Sequence, residues 1–207
     1  MYTIFVDFKK AFDLVPRKLL WIKLKNYGVP DRFIEMLMEM YRSVKACVKL
    51  AKNTITDEVI SCDEGLKQGD SLSCYLFILY LNDLVDYLSE NDASEIVICQ
   101  LYITILMFAD DLIMFDKRPR GLQRKINILS RYCEKWNLVV NVEKTKVVIF
   151  RKSVRKQFHD KWYYNGTEIE IVTEYKYLGL LLNCTGNWKN AKLDLARRGS
   201  KARLFQV

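Results

Sequence analysis

The stretch Ile103–Asp116, ITILMFADDLIMFD, constrains this chain more than any other. Two adjacent aspartates, Asp110 and Asp111, lie between arms of apolar and β-branched residues, Ile103–Phe108 and Leu112–Phe115. Each arm has the composition of a buried strand, and Ala109-Asp110-Asp111 breaks the run, so the simplest reading is a tight hairpin with two carboxylates at its tip. Burying an unpaired carboxylate is very costly, so a cation or open water must compensate. Neighbouring acids on a rigid turn attract a hard divalent ion, and Mg²⁺ usually takes one or two carboxylates plus phosphate oxygens. Taken alone, the pair is better read as an ordinary polar turn, because Asp is a common turn residue. The rest of the chain shifts that balance.

At 207 residues, half of them hydrophobic, the chain fits one large domain or a core with a small appendage, and wholesale disorder is excluded. The net charge of +8, from 33 basic and 25 acidic residues, favours an anionic partner, nucleic acid before membrane; a solvated basic surface explains the charge equally well. The six cysteines never form a C-x-x-C pair and there is one histidine, His159, which argues against a zinc site. Reduced thiols at apolar positions fit a reducing, intracellular compartment, nucleus or cytoplasm. The most apolar window, Leu72–Leu81, is about half the roughly 20 residues a bilayer span needs. Met1 leads straight into a strand-like run, so neither a signal peptide nor a membrane is expected.

In chain order, Tyr2–Asp7 reads as a short buried strand ending on an acid. Pro16 marks a helix start, with Gly28 as its C-terminal cap, and Pro30 or Asp31 opens a second helix with Phe33, Ile34, Leu37, Met38 and Tyr41 on one face. Val44–Leu50 and Ile55–Cys62 form a ribbon candidate turning at Lys52–Thr54, able to touch a phosphate backbone or to serve as a solvated edge. Asp63–Asp70 is a polar loop. Ser71 can cap a helix through about Leu88, with Leu72, Tyr75, Leu76, Leu79 and Leu84 inward. Ile96–Tyr102 is another strand or a lead-in to the central hairpin, and a helix runs from Arg118–Arg120 through Trp136. Leu138–Asn141 and Thr145–Phe150 are strand candidates about Val142-Glu143-Lys144. Beyond Arg151 the chain is basic and irregular to Lys161; Trp162–Val172 is a hairpin about Asn165-Gly166, and Trp188–Phe205 a basic helix.

With the ribbon set aside, the order through Phe150 is β-α-β-β-α-β, an α+β fold with a ferredoxin-like split βαβ sheet and helices on one face. Right-handed crossovers place the first strand beside the central hairpin, bringing Asp7 to Asp110 and Asp111. Three acids at one point suit two Mg²⁺ ions about 3.5–4 Å apart, clamping the attacking and leaving oxygens of a phosphoryl displacement. Gly65 and Gly69 let backbone approach a flat or anionic ligand, beside the Gln68 amide.

Asp7-Phe8-Lys9-Lys10-Ala11-Phe12-Asp13, Gly65-Leu66-Lys67-Gln68-Gly69-Asp70, Phe108-Ala109-Asp110-Asp111, Asn141-Val142-Glu143-Lys144-Thr145 and Tyr177-Leu178-Gly179 stand in the order of the reverse transcriptase palm motifs. The chain resembles the polymerases of non-LTR retrotransposons over about residues 2–182. The resemblance implies a nucleotidyltransferase, an RNA-directed DNA polymerase with RNA template, DNA primer and dNTP as partners. Asp7, Asp110 and Asp111 would hold two Mg²⁺ ions (Mn²⁺ as the alternative), Asp110 more directly than Asp111. Phe8 would add a backbone carbonyl, Phe12 would reject a ribose 2′-hydroxyl, and Gln68 and Gly69 would contact nucleotide and template. Lys144 would assist pyrophosphate departure, and Tyr177, Leu178 and Gly179 would grip the primer. Phe12 as core and Lys144 as a solvated turn cation are the alternatives.

On this reading residues 1–150 are the palm core, 151–186 a β-rich extension with the primer grip, and 187–207 the start of a truncated thumb-like helix. The family's fingers precede the first palm strand, so fingers and most of the thumb are expected to be missing from an incomplete element copy. The competing expectation is a catalytically inactive nucleic-acid-binding remnant; a nucleotide cyclase ranks below both.

Overall fold

A computed structural model describes residues 1–49, 55–91, 93–98, 100–151 and 160–204. Its elements are β1 (Tyr2–Val6), α1 (Arg17–Asn26), α2 (Asp31–Tyr41), β2 (Lys45–Lys49), β3 (Ile55–Ser61), α3 (Ser71–Leu81), α4 (Leu84–Glu90), β4 (Ile96–Ile98), β5 (Leu101–Ile103), β6 (Ile105–Phe108), β7 (Asp111–Asp116), α5 (Pro119–Lys135), β8 (Lys146–Ile149), β9 (Trp162–Tyr164), β10 (Thr167–Val172), β11 (Glu174–Tyr177), β12 (Leu180–Asn183) and α6 (Lys189–Leu204). They fall into two compact units, the first comprising residues 1–8, 85–133 and 140–207, the second residues 9–84 and 134–139.

The first unit is built on a six-stranded sheet in the order β6-β7-β1-β8-β10-β9. Its first four strands have the expected split βαβ order: β1 lies between β7 and β8, antiparallel to both. The β-rich extension continues this sheet, β10 running parallel to β8 and antiparallel to β9. The β9–β10 turn is at Asn165-Gly166, both with positive φ (47° and 79°), as a tight two-residue hairpin requires. On one face Phe5, Ile113, Phe115 and Val148 pack with Ile96 and Cys184, covered by Tyr175, Tyr177 and Leu182 of the β11–β12 hairpin. On α5 the stripe Leu122, Ile126, Leu129 and Cys133 is buried, as its helical spacing requires, and Lys125 donates to the Phe115 carbonyl at 2.7 Å.

The second unit packs α1 with α2 and α3 and carries the β2–β3 ribbon; the turn expected at Lys52–Thr54 lies outside the described residues. Several sequence expectations change here. The cap of α3 is Asp70, whose carboxylate accepts the Leu72 N–H at 3.1 Å; Ser71 is the first helical residue. The helix expected through Leu88 breaks at Asn82-Asp83 into α3 and α4. Tyr75 points outward at 67% exposure, while Phe77 and Tyr80 are buried; α3 is apolar all round, so spacing alone does not select its inner face. On α2 the buried residues are Ile34, Leu37 and Tyr41, whereas Phe33 and Met38 are about half exposed.

Two strand expectations also shorten. The arm expected as Ile103–Phe108 is interrupted at Thr104, leaving β5 paired with β4 and β6 paired with β7. Leu138–Asn141 is reduced to one bridge, Val140 to Phe8. Most of the basic segment 151–161, with His159, lies outside the described residues.

Candidate active site

The register of the sheet determines where the acids meet. β1 and β7 pair from Tyr2↔Asp116 to Val6↔Leu112, so the next step sets Asp7 opposite Asp111. Directly opposed residues of an antiparallel pair share a face, with Cβ atoms about 4.5–5.5 Å apart. β6 and β7 close at Phe108↔Asp111, leaving Ala109-Asp110 as the two-residue turn. Ala109 takes φ 52°, and Asp110 is exposed at the tip. The backbone beyond β1 is pinned by the 140–145 segment: the Asp7 N–H donates to the buried Thr145 hydroxyl at 3.2 Å, and the Asp7 carbonyl accepts the Asn141 N–H at 2.8 Å. Phe8 is itself buried, so only its backbone is positioned to serve a ligand.

Burial raises the Asp111 pKa above the ordinary carboxylate value, and the charges of Asp110 and Asp7 raise it further. Among the described residues no lysine or arginine forms an ion pair with any of the three. The flank of the acids is aromatic. Tyr175 stacks on Phe5 with ring centroids 4.3 Å apart, and Tyr177 lies 5.8 Å from the same ring. Burial raises both phenol pKa values; Asp111 adds to each, and Asp7 adds to Tyr175. The β11–β12 turn is Leu178-Gly179, both at positive φ, with Leu178 half exposed and the Gly179 carbonyl accepting from Arg198 at 2.5 Å. Tyr175 was missed in the sequence reading; its alternation with Tyr177 places both rings on one face and was the available signal. Lys144 is exposed in the turn before β8, where Asn141 accepts its backbone N–H.

The expected nucleotide contacts Phe12, Gln68 and Gly69 belong to the second unit. Phe12 is half-buried and stacks on Phe77 at 4.8 Å. The exposed Gln68 amide donates to Asp13 at 2.7 Å, and Gly69, at φ 83°, has open space where a Cβ would sit. Arg17, which the sequence reading did not single out, organises this loop. Its guanidinium donates to the carbonyls of Gly65 (2.8 Å), Tyr41 (2.9 Å) and Glu64 (3.1 Å) and lies over the Tyr41 ring. Gly65 sits at φ 80°, and a Cβ there would come within 2.5 Å of the Asp13 carbonyl oxygen. Gly65→Ala is therefore expected to cost about 2–3 kcal/mol, read as a lower denaturant midpoint at unchanged slope.

Among the described residues no three His, Cys, Asp or Glu side chains converge into a ready-made ligand set. Of the three expected carboxylates, the register sets Asp7 opposite Asp111, and Asp110 stands at the tip. The residues still fit a hard divalent cation. Such ions accept one or two carboxylates and fill their remaining positions with water and phosphate oxygens. Burial first, and then the charges of Asp110 and Asp7, raise the Asp111 pKa, and a bound cation would favour its ionised form against all three.

Residues 1–182 match the family model described as reverse transcriptase (RNA-dependent DNA polymerase). The chain belongs to the reverse transcriptase family. It is 26% identical over 199 residues to the Pol polyprotein of the type-1 retrotransposable element R2 of Popillia japonica, covering 93% of this chain and 32% of that protein. It is 24% identical to the RNA-directed DNA polymerase of the mobile element jockey of Drosophila funebris, covering 86% of this chain and 19% of that one. The chain therefore spans a third or less of these curated relatives. Apo telomerase from Candida tropicalis shares the fold at a TM-score of 0.58 and 18% identity, over 90% of this chain and 32% of that one. Telomerase from Candida albicans, solved with a fragment of telomeric RNA, does so at 0.57 and 17%, over 89% and 30%. The mixed sheet with its β-α-β-β-α-β core is a reverse transcriptase palm.

Proposed function

We propose that this chain is the palm of an RNA-directed DNA polymerase of a non-LTR retrotransposon, adding dNTPs to a primer on an RNA template. The observation that carries the reading is the opposition of Asp7 and Asp111 beside the tip residue Asp110, each charge raising the proton affinity of Asp111. Two Mg²⁺ ions, or Mn²⁺, held by Asp7, Asp110 and Asp111 would lower the pKa of the primer hydroxyl and neutralise triphosphate charge.

The chain's own residues have separate tasks. The carbonyl of Phe8 borders the triphosphate, and Lys144 supplies a cation or proton to departing pyrophosphate. Phe12 walls the sugar against a 2′-hydroxyl. Gln68 and Gly69 contact the incoming nucleotide and template, on a loop that Arg17 holds in place. Tyr177, Leu178 and Gly179 lie against the primer backbone, with Tyr175 stacked on Phe5 and within the electrostatic reach of Asp111 and Asp7. Residues 1–150 act as palm core, 151–186 as the extension bearing the grip, and 187–207 as the start of a thumb helix. Among the described residues no helix is long and apolar enough to cross a membrane.

The test is metal-dependent dNTP addition to a primed RNA, with Asp110→Asn as the control that must abolish it. The net charge of +8 favours a second reading, a nucleic-acid-binding remnant without catalysis. That reading predicts steeply salt-dependent RNA affinity, indifferent to Asp7→Asn and Asp110→Asn, with no incorporation.

A further inference from the structure

The first unit holds a second feature at the other end of β7. β7 leaves the active site at Asp111 and ends at Asp116, roughly 17 Å away at strand spacing. There a cavity of about 510 Å³ is lined by Arg118, Arg120 and Arg124, with Ser94, Gly121 and Asp160. Its volume lies in the range of small-ligand sites, roughly 300–1,000 Å³.

The floor of this cavity is fixed. The buried Asp116 carboxylate accepts the Arg118 backbone N–H at 2.8 Å and the Ser94 hydroxyl, and Lys125 Nζ stands 4.0 Å away. Asp116 is therefore already matched by Lys125 and does not neutralise the arginines. Gly121 is required at this floor, since a Cβ would fall 2.4 Å from the Asp116 carboxylate. Arg118, Arg120 and Arg124 are all exposed residues, Arg120 and Arg124 being neighbours one turn apart on α5. Among the described residues neither Arg118 nor Arg120 has a carboxylate within ion-pair distance. Among the described residues Asp160 is the one acid lining the cavity, and Arg118 and Arg120 bring two positive charges to it that no described carboxylate pairs. Rigid guanidinium forks matched to tetrahedral oxyanions are the chemistry of phosphate recognition.

We propose that this arginine-lined cavity is a second phosphate-binding site, holding the backbone of single-stranded RNA remote from the catalytic acids. A free polyphosphate shares the chemistry, but a polymer also engaged at the active site can span the separation, and the basic chain as a whole attracts one. The inference rests on the polymerase reading only for the identity of the polymer; the site itself does not depend on catalysis.

The experiment measures binding of a labelled twelve-nucleotide single-stranded RNA to the full chain by fluorescence anisotropy across a salt series, with inorganic tripolyphosphate as competitor. The triple variant R118Q/R120Q/R124Q is compared with K18Q/R32Q/K192Q, which removes three exposed cations scattered over α1, α2 and α6. The cavity variant is expected to lose on the order of tenfold in RNA affinity at low salt. Its salt slope is expected to fall by roughly 2, at about 0.7 per lost phosphate contact on single strands. The scattered variant should lose less than half as much, and Asp110→Asn should bind RNA like the unsubstituted chain even if it abolishes incorporation. Equal losses in the two triple variants would reduce the arginines to bulk charge and overturn the site. Tripolyphosphate binding lost in the cavity variant while RNA affinity is unchanged would overturn RNA as occupant in favour of the free anion. Arg124→Gln alone, a single exposed substitution, is expected to give a smaller slope change in the same direction, and its indifference would overturn the proposal if the triple variant does not fold.

Discussion

Asp110→Asn and Asp111→Asn are each expected to cut metal-dependent dNTP addition by on the order of 10³-fold or more, because phosphoryl transfer is carried almost entirely by positioning and electrostatics. The two variants should part company in stability. Asp111 has a raised pKa, so its ionised form is disfavoured in the folded chain relative to the unfolded one. For a carboxyl shifted upward the sign is as follows: above the folded pKa the charge costs stability, and the cost is relieved as pH falls through that pKa. Asp111→Asn is therefore expected to raise the thermal midpoint of the metal-free chain at neutral pH while destroying activity. Mg²⁺ should stabilise the unsubstituted chain at pH 7 and less so at an acidic pH low enough for protons to compete for Asp111, whereas Asp111→Asn should lose most of the Mg²⁺ effect. A thermal scan with and without Mg²⁺ at the two pH values reads all of this. A fall in stability in Asp111→Asn, with the Mg²⁺ response intact, would remove the acids from any shared cation site.

How much of this was legible in the sequence follows from which forces leave a periodic trace. The arm Leu112–Phe115 is a continuous apolar run and is buried on both faces in β7, as β1 is, so these two strands were recoverable; the arm before the turn reads the same way, yet β6 is an edge strand with Leu106, Met107 and Phe108 exposed. Asn165-Gly166 marked its hairpin because few residue pairs accept two positive φ angles. The facing of α3 was not recoverable, since an all-apolar helix has no stripe, and Tyr75 was therefore placed inside in error. Asp70 and Ser71 are both good caps, and only the backbone geometry separates them. Of the site, the acids were legible because charge within an apolar run is conspicuous. Arg17 was not: it acts on carbonyls of Tyr41, Glu64 and Gly65, which every residue possesses and no pattern advertises. The buried lysines 23 and 125 were hidden too, because each donates to a backbone carbonyl, of Tyr80 and Phe115 respectively.

Lys23 carries the largest expected stability effect. It is buried on α1, with Nζ 2.5 Å from Asp83 Oδ1 and 2.5 Å from the Tyr80 carbonyl, and it lies 3.9 Å from the Trp136 ring centroid and 4.8 Å from that of Tyr80. Burial dominates these attractions and lowers the Lys23 pKa from 10.5 to about 8; Asp83 opposes the shift and Lys135 adds to it. The unfolded chain thus binds the Lys23 proton more tightly than the folded one. Charged Lys23 costs stability below pH 8, and the cost is relieved as pH rises from about 8 toward 10.5. At about 1.4 kcal/mol per pKa unit the relief amounts to roughly 3 kcal/mol. Tyr80, whose pKa burial raises, acts with opposite sign above pH 10, so the window to examine is pH 7–9.5. Asp83→Asn leaves the ammonium buried without its counter-charge and is expected to cost about 3–5 kcal/mol at pH 7, a deficit that shrinks as Lys23 deprotonates. Lys23→Met replaces the charge by an apolar chain of similar length and should be neutral or stabilising at pH 7, since Asp83 retains contact with solvent. Urea unfolding of the three proteins at half-unit steps of pH decides the matter: a pH-independent deficit in Asp83→Asn would mean that Lys23 is already neutral at pH 7.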